Sequence, residues 1–429
     1  MILKAFLEAS KIKAGEPKTL GLLVEATAPA LPKQNLSRSP QAIVFVVDRS
    51  GSMGGGSLEL VKQTIGEMVG QLDASDYLAI VSFDTDVETH LQLQQVGELD
   101  AQQLRRDLAS LEPRGGTNIE LGYRHGLAEA AKAPSGIETK LVLLSDGHAN
   151  NGIKDPVQLG QLAAFATEHL VTTSTIGIGT GFDETILASI AGSGQGNHFA
   201  AVNLEEAVAG LQDEIDGLLE RSVRNLTCKI TLVSANQLKA ITSVGYVRSK
   251  KPLTDGIEVK LGELVSQEER GYAFLLELKA FDRNFEGLVE IEVELFGENA
   301  LTGEEIGQRQ TLVFEVASPV DFITPELNEN VVAEIAVFRM ANVKEQAARA
   351  AREGSYDEAR AMIQQAQGDT QLLMEQLDEM SPRVRMRVLA ENEELADLMG
   401  FTDIELSKRS TESSFRSSRA KSDPRKKSN

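Results

Sequence analysis

The sequence predicts a doubly wound, mostly parallel α/β domain (residues 37–220) inserted into a β-sandwich (1–36 plus 221–322). A helical region (323–400) and a disordered basic tail (401–429) follow. Three observations predict this. Short apolar runs alternate with helical periodicity between about residues 40 and 220, as in a parallel sheet covered by helices. Period-two strand patterns without intervening helices lie on both sides of that stretch. Long helical periodicities begin at about residue 325. A length of 429 residues suits two or three domains.

Taken in order, the chain opens with two alternating runs, Ile2 to Ile12 and Thr19 to Thr27, separated by the turn signal Ala14-Gly15-Glu16-Pro17. The opening MILKAFLEASKIKAGEP lacks a sustained apolar core, so it reads as a strand and not as a secretory signal. A Pro- and Ser-bearing linker, PALPKQNLSRSPQ, leads into AIVFVV, LELVKQTIGEMVGQL and YLAIVSF, then a helix at about Asp100 to Leu111. IELGYRHGLAEAAK, LVLLS, VQLGQLAAFATEHL and VTTSTIGIG continue the alternation, which closes with helices near Glu184 to Ile190 and Leu204 to Leu219. Strands return as LTCKITLVSA, GIEVKLGEL, YAFLLELKAF, LVEIEVELFG and RQTLVFEVA, which read as an antiparallel sandwich. These five or six strands are few for a sandwich, so the two N-terminal strands are expected to complete it.

In the helical region, the segment from Glu329 ends at Gly354, a C-cap signal, and Ser355 is a candidate N-cap for YDEARAMIQQAQ. A third helix is expected from about Thr370 to Met380, and Pro382 begins a fourth. The turn REGSYDEA resembles a tetratricopeptide-type hairpin, and one hairpin does not make a repeat array. From Ser407 onward, eight Lys or Arg stand against two acidic residues, with one apolar aromatic, Phe415. That composition predicts a disordered tail, solubilising or tethered to the rest of the chain, with a docking or phosphorylation segment as the alternative.

The net charge of −21 argues against general nucleic-acid binding and favours cation attraction. The single cysteine, Cys228, excludes an intrachain disulfide and fits a reducing, cytoplasmic setting. No apolar stretch reaches the roughly 18 residues of a spanning helix.

Chemistry concentrates at IVFVVDRSGSM, residues 43–53. A buried strand ends in Asp48, and Ser50 and Ser52 follow at alternate positions, with Gly51 and Gly54-Gly55-Gly56 allowing a tight bend. Open parallel sheets bind ligands beyond the carboxyl ends of their strands. Two further loops offer oxygens: PRGGTNIELG, with Thr117, and LVLLSDGHANNG, with Asp146. Together Asp48, Ser50, Ser52, Thr117 and Asp146 form an oxygen-only set suited to a hard divalent cation. A helix-capping turn is the alternative for each loop alone. His148 reads as a rim residue and not as an extra ligand.

DRSGSM at 48–53, GGTN at 115–118 and LLSDG at 143–147 resemble, in order and spacing, the metal-ion-dependent adhesion site of von Willebrand factor A domains, over about residues 40–220. No site position departs from the pattern. The resemblance implies that Ser50 and Ser52 bind Mg2+ directly, with Mn2+ or Ca2+ as alternatives. Thr117 would bind directly or through water, and Asp48 and Asp146 mainly through water. An open coordination position would take a Glu or Asp carboxylate from a protein partner. The wider layout is similar to bacterial cytosolic proteins with a central A domain, a sandwich like that of inter-alpha-trypsin inhibitor heavy chains, and trailing helices. Some of these work beside ATPases of the MoxR class.

Other chemistries find little support. TIGIGTGFDE has G-x-G-x-G spacing and lacks the third glycine of a dinucleotide loop; no P-loop, H-E-x-x-H or G-x-S-x-G occurs. An aspartyl-phosphate nucleophile at Asp48 is disfavoured because Ser50 takes the place of the second acid. The expected function is therefore a non-enzymatic, cation-dependent interaction module or scaffold. The alternative is an adaptor or chaperone-like subunit of an AAA+ ATPase, and a metal-assisted hydrolase ranks last.

Overall fold

The computed structural model describes residues 1–31, 40–201, 203–233, 237–377 and 380–418. The linker read at 32–39 therefore lies outside the described residues. The chain divides into two compact units, one built from the N-terminal segment with residues 218 onward and the other from about residue 40 to 217. The N-terminal segment forms β1 (Ile2–Leu7), β2 (Lys11–Lys13) and β3 (Lys18–Thr27).

The second unit contains β4 (Ala42–Asp48), α1 (Ser57–Val69), β5 (Tyr77–Phe83), β6 (Val87–Gln95), α2 (Ala101–Ala109), α3 (Ile119–Ala130) and β7 (Thr139–Ser145). It continues through α4 (Pro156–Thr167), β8 (Val171–Ile178), α5 (Glu184–Ser193), β9 (Gln195–Ala201) and α6 (Leu204–Leu219). The sheet order is β6-β5-β4-β7-β8-β9, parallel except for the β5–β6 hairpin. All seven residues of β4 are buried, which explains its unbroken apolar sequence. Val44 and Val46 pack with Ile119 and Tyr123 of α3, Leu159 of α4 and Ile186 of α5, while Ile43, Phe45 and Val47 point to the opposite face. Helix α3 lies very close to the sheet. A methyl group on Gly122 would sit 2.4 Å from the Phe83 ring, and one on Gly126 would sit 2.3 Å from Val46 Cγ2. Side-chain caps fix where helices start: Asp100 for α2, Asn118 for α3, Asp155 for α4 and Asp183 for α5. The chain passes from β4 to β5 on one side and returns to β7 on the other. The carboxyl end of β4 is thus the topological switch point.

The first unit adds β10 (Arg221–Leu232), β11 (Leu238–Ser243), β12 (Ser249–Pro252), β13 (Gly256–Val265), β14 (Glu269–Leu278), β15 (Gly287–Asn299) and β16 (Glu305–Ala317). Two sheets result, β1-β3-β14-β11 and β12-β13-β10-β15-β16-β2. Strand β3 pairs with β14 from Lys18↔Leu278 to Thr27↔Glu269. The run Ile2 to Ile12 splits at Glu8, so β1 and β2 join different sheets, and β2 lies parallel to β16, unlike the antiparallel pairing expected. Cys228 is buried in the core between the sheets, and burial raises its thiol pKa.

Four helices complete this unit: α7 (Glu329–Arg352), α8 (Tyr356–Gln376), α9 (Pro382–Gly400) and α10 (Asp403–Ser418). Gly354 adopts φ +83° after α7, and Ser355 occupies the N-cap position of α8 without a side-chain bond. Two expectations need correction. No separate helix begins at Thr370, because α8 runs on to Gln376 and the Thr370 hydroxyl bonds back to the Ala366 carbonyl at 2.8 Å. The tail is not disordered over its first part, since residues 403–418 are the helix α10. Its charges and hydroxyls find partners on α7 and α9. Ser417 Oγ accepts from Lys344 Nζ at 2.9 Å and donates to Glu391 at 3.0 Å, Ser414 Oγ donates to the Ala341 carbonyl at 2.7 Å, and Arg416 pairs with Glu394. Residues 419–429 lie outside the described residues. Among the described residues no helix is long and apolar enough to cross a membrane.

Candidate metal centre

The five oxygen-bearing residues come from three loops at the carboxyl ends of β4 and β7 and the start of α3. Asp48 is fully buried, and both its oxygens are engaged: Oδ1 accepts from Ser50 N at 2.8 Å and Oδ2 from Ser145 Oγ at 2.6 Å. Ser50 Oγ lies 3.0 Å from Ser52 Oγ, which donates to Asp146 Oδ1 at 2.6 Å. Thr117 is 3% exposed and faces the same space. A methyl group on Gly147 would lie 2.9 Å from Thr117 Oγ1, 3.5 Å from Ser52 Oγ and 3.8 Å from Ser50 Oγ. Three hydroxyls therefore converge over Gly147, where a side chain would intrude on the cup.

The loops are braced by backbone bonds. Gly51 N donates to the Gly115 carbonyl at 3.3 Å and Arg114 N to the Arg49 carbonyl at 2.8 Å. Asn150 grips Thr117 from both sides, its Oδ1 accepting from Thr117 N at 2.9 Å and its N–H donating to the Thr117 carbonyl at 3.0 Å. His148 is exposed, with Nδ1 3.8 Å from Asp183 Oδ2. It stands aside from the hydroxyl set.

Burial lifts the Asp48 carboxyl to about 6 against hydrogen bonds from Ser145 and Ser50, and repulsion from Asp146 adds to the rise. Burial likewise raises Asp146, opposed by Ser52. The donor set is all oxygen, with three hydroxyls and two carboxylates. Among the described residues no group of three or more His, Cys, Asp and Glu is placed to hold a metal. A cation here would rest on hydroxyls, with Asp48 already committed to Ser50 and Ser145. That donor chemistry fits a hard divalent ion.

The family model of the von Willebrand factor type A domain matches residues 42–214. The chain carries a von Willebrand factor type A domain. Among curated relatives, it is 28% identical to the uncharacterized protein sll0103 of Synechocystis over 62% of this chain and 64% of that one. It is 29% identical to YfbK of Escherichia coli over 44% of this chain and 33% of that protein. It is 27% identical to the human inter-alpha-trypsin inhibitor heavy chain H3 over 56% of this chain and 27% of that one. The chain thus spans less than two thirds of the length of each of these relatives. Two solved structures share the fold at 16% identity. The ArnB paralog VWA2 of Sulfolobus acidocaldarius has a TM-score of 0.64, covering 97% of this chain and 98% of that one. The von Willebrand factor type A protein of Catenulispora acidiphila has a TM-score of 0.66, covering 90% and 94%.

Several residues that brace the candidate site lie outside the five oxygen donors read from the sequence. Ser145 and Asn150 stood inside the quoted loops, where alternation and turn composition already placed them at a strand end. Asp84 and Arg49 carried no signal of their own, since their ion pair spans 35 positions.

Proposed function

We propose that the A domain is a cation-dependent protein-interaction module in which Ser50, Ser52 and Thr117 hold Mg2+ and Asp48 and Asp146 act behind them. The convergence of three hydroxyls from two loops over Gly147, with both carboxylates bonded into the same set, carries this reading. When bound, the ion supplies a Lewis-acidic position for a Glu or Asp carboxylate of a partner. The chain's own residues do the rest. Asp48 orients the Ser50 turn through its backbone N–H, Asp146 orients Ser52, and Gly147 leaves the cup open. A set with few carboxylates leaves positive charge on the ion unneutralised, which favours capture of an acidic side chain.

Titration calorimetry of the full chain with Mg2+ and Mn2+ tests the reading. Wild type should take up about one ion, Thr117→Ala should weaken uptake at least tenfold, and Ser50→Ala should abolish it. Absence of uptake by wild type refutes the proposal.

A further inference from the structure

The turn after β5, Asp84-Thr85-Asp86, carries none of the five site oxygens, yet both hydroxyl-bearing loops are tied to it. Asp84 is 2% exposed. Its Oδ2 accepts from Arg49 Nε and from Arg114 Nε, both at 2.8 Å. Its Oδ1 accepts from Asp86 N at 2.8 Å, and its carbonyl accepts from Asn118 N at 2.9 Å. Arg49 lies between Asp48 and Ser50; Arg114 and Asn118 bracket Gly115, Gly116 and Thr117. Thr85 adds a bond, its Oγ1 accepting from Gly116 N at 3.0 Å. The glycine loop lies flat on this turn. Gly115 has φ +68°, and a methyl group there would sit 3.0 Å from Thr85 Oγ1 and 3.1 Å from Asp84 Oδ1.

Ser50 and Ser52 sit on one loop and Thr117 on another, so their spacing is not set by either loop alone. An ion that had to order a loose loop would lose binding energy to the conformational entropy of the residues it fixed. A carboxylate shared by two guanidiniums removes that loss in advance. Arg49 is 3% exposed and its Nη1 donates to the half-exposed Glu88 at 2.7 Å, so Asp84 is its buried anchor. Burial opposes ionisation of Asp84, but the Asp86 N–H and the guanidiniums of Arg114 and Arg49 outweigh it and hold the group charged.

We propose that Asp84 is a positioning residue for the cation cup: one buried carboxylate sets the distance between the Ser50–Ser52 turn and Thr117, and through it the affinity and size selectivity for the ion. This inference rests on the cation reading above. It predicts a difference between ions, because a cup of fixed span discriminates Mn2+ from the larger, more permissive Ca2+, and a slack one does not.

Two measurements on the full chain test it. In chelator, amide hydrogen exchange of peptides covering 111–121 and 49–56 should be at least tenfold faster in Asp84→Asn than in wild type, with β7 and α4 unchanged. In calorimetry, Asp84→Asn should lose at least tenfold in Mn2+ affinity but less in Ca2+ affinity, so that the Mn2+ to Ca2+ ratio falls at least threefold. Arg114→Ala removes one guanidinium from a half-exposed position and should show the same direction with a smaller change, which decides the matter if Asp84→Asn fails to fold. Unchanged exchange, or equal loss for both ions, overturns the proposal. Failure of wild type to take up Mn2+ overturns the cation reading and this inference with it. Slack loops beside normal selectivity overturn this inference alone.

Discussion

Replacing Asp48 by Asn should stabilise the metal-free protein while abolishing cation uptake. Asp48 is fully buried, and its carboxyl is raised from the ordinary 3.8 to about 6. The folded state therefore holds this proton more tightly than the unfolded chain. Stability falls as pH rises from about 3.8 to about 6, and the whole penalty is present above that window. At about 1.4 kcal/mol per pH unit, the penalty is about 3 kcal/mol at neutral pH. An asparagine keeps the bond from Ser50 N but turns an N–H toward Ser145 Oγ, which costs about 1 kcal/mol. In chelator at pH 7.5, Asp48→Asn should thus be about 2 kcal/mol more stable than wild type, and the gap should close at about pH 4.5 and reverse below it. Added Mg2+ should stabilise wild type and leave the variant unchanged. Urea unfolding followed by far-ultraviolet circular dichroism suits a chain with no tryptophan. A variant less stable than wild type in chelator at pH 7.5 would refute the reasoning.

Lys344 is fully buried against Glu391 and Glu394, so Lys344→Met should strand the buried Glu391 carboxylate, leave Glu394 to Arg416 alone and destabilise the helical region by about 3–5 kcal/mol, read as early melting by circular dichroism. Burial opposes ionisation of Glu394, but Lys344 and Arg416 outweigh it and bring its carboxyl to about 2, below the ordinary 4.5. Its contribution is complete above about pH 4.5 and lost as pH falls toward 2, so helical signal undiminished at pH 2 would contradict the network. Gly126→Ala should cost about 1–3 kcal/mol by forcing α3 off β4, and an unchanged melting temperature would show that the close approach is relaxed. Deleting residues 1–31 removes β1 and β3 and leaves β14 without its partner along Glu269–Leu278, so the product should aggregate in size-exclusion chromatography. A monomeric product that melts cooperatively would show that β14 does not need that partner.

Much of the α/β unit was legible because its strands are buried on both faces and so read as apolar runs. The three oxygen-bearing loops were legible because each follows such a run or precedes a helix. Strand β6, VETHLQLQQ, was missed because it is an edge strand with mixed burial, three residues after β5. Strand β9 was missed because QGNHFAA lacks a branched apolar run. The continuity of α8 across Gly368 was hidden because a glycine in open space reads as a break. Helix α10 was misread for a different reason. Its composition predicts disorder when only local burial counts, whereas its partners Lys344, Glu391 and Glu394 come from helices distant in sequence. Asp84 was invisible for the same reason, its two guanidiniums lying 35 and 30 positions away.

The make-up of α10 determines how it could part from its seat. Leu406 aside, its described buried side chains are hydroxyls and charges, and the Ser410 and Ser413 hydroxyls have no hydrogen-bond partner among the described residues. Each such hydroxyl gives back about 1–3 kcal/mol of what docking gains. Beneath the helix, Lys344 is neutralised by Glu391 and Glu394 of α9 independently of α10. The seat of α10 is thus held largely by directed bonds, with Leu406 as its described apolar anchor among Ala347, Leu395 and Leu398, in contrast to the seam where Leu23, Ile335 and Phe338 hold α7 to the sandwich.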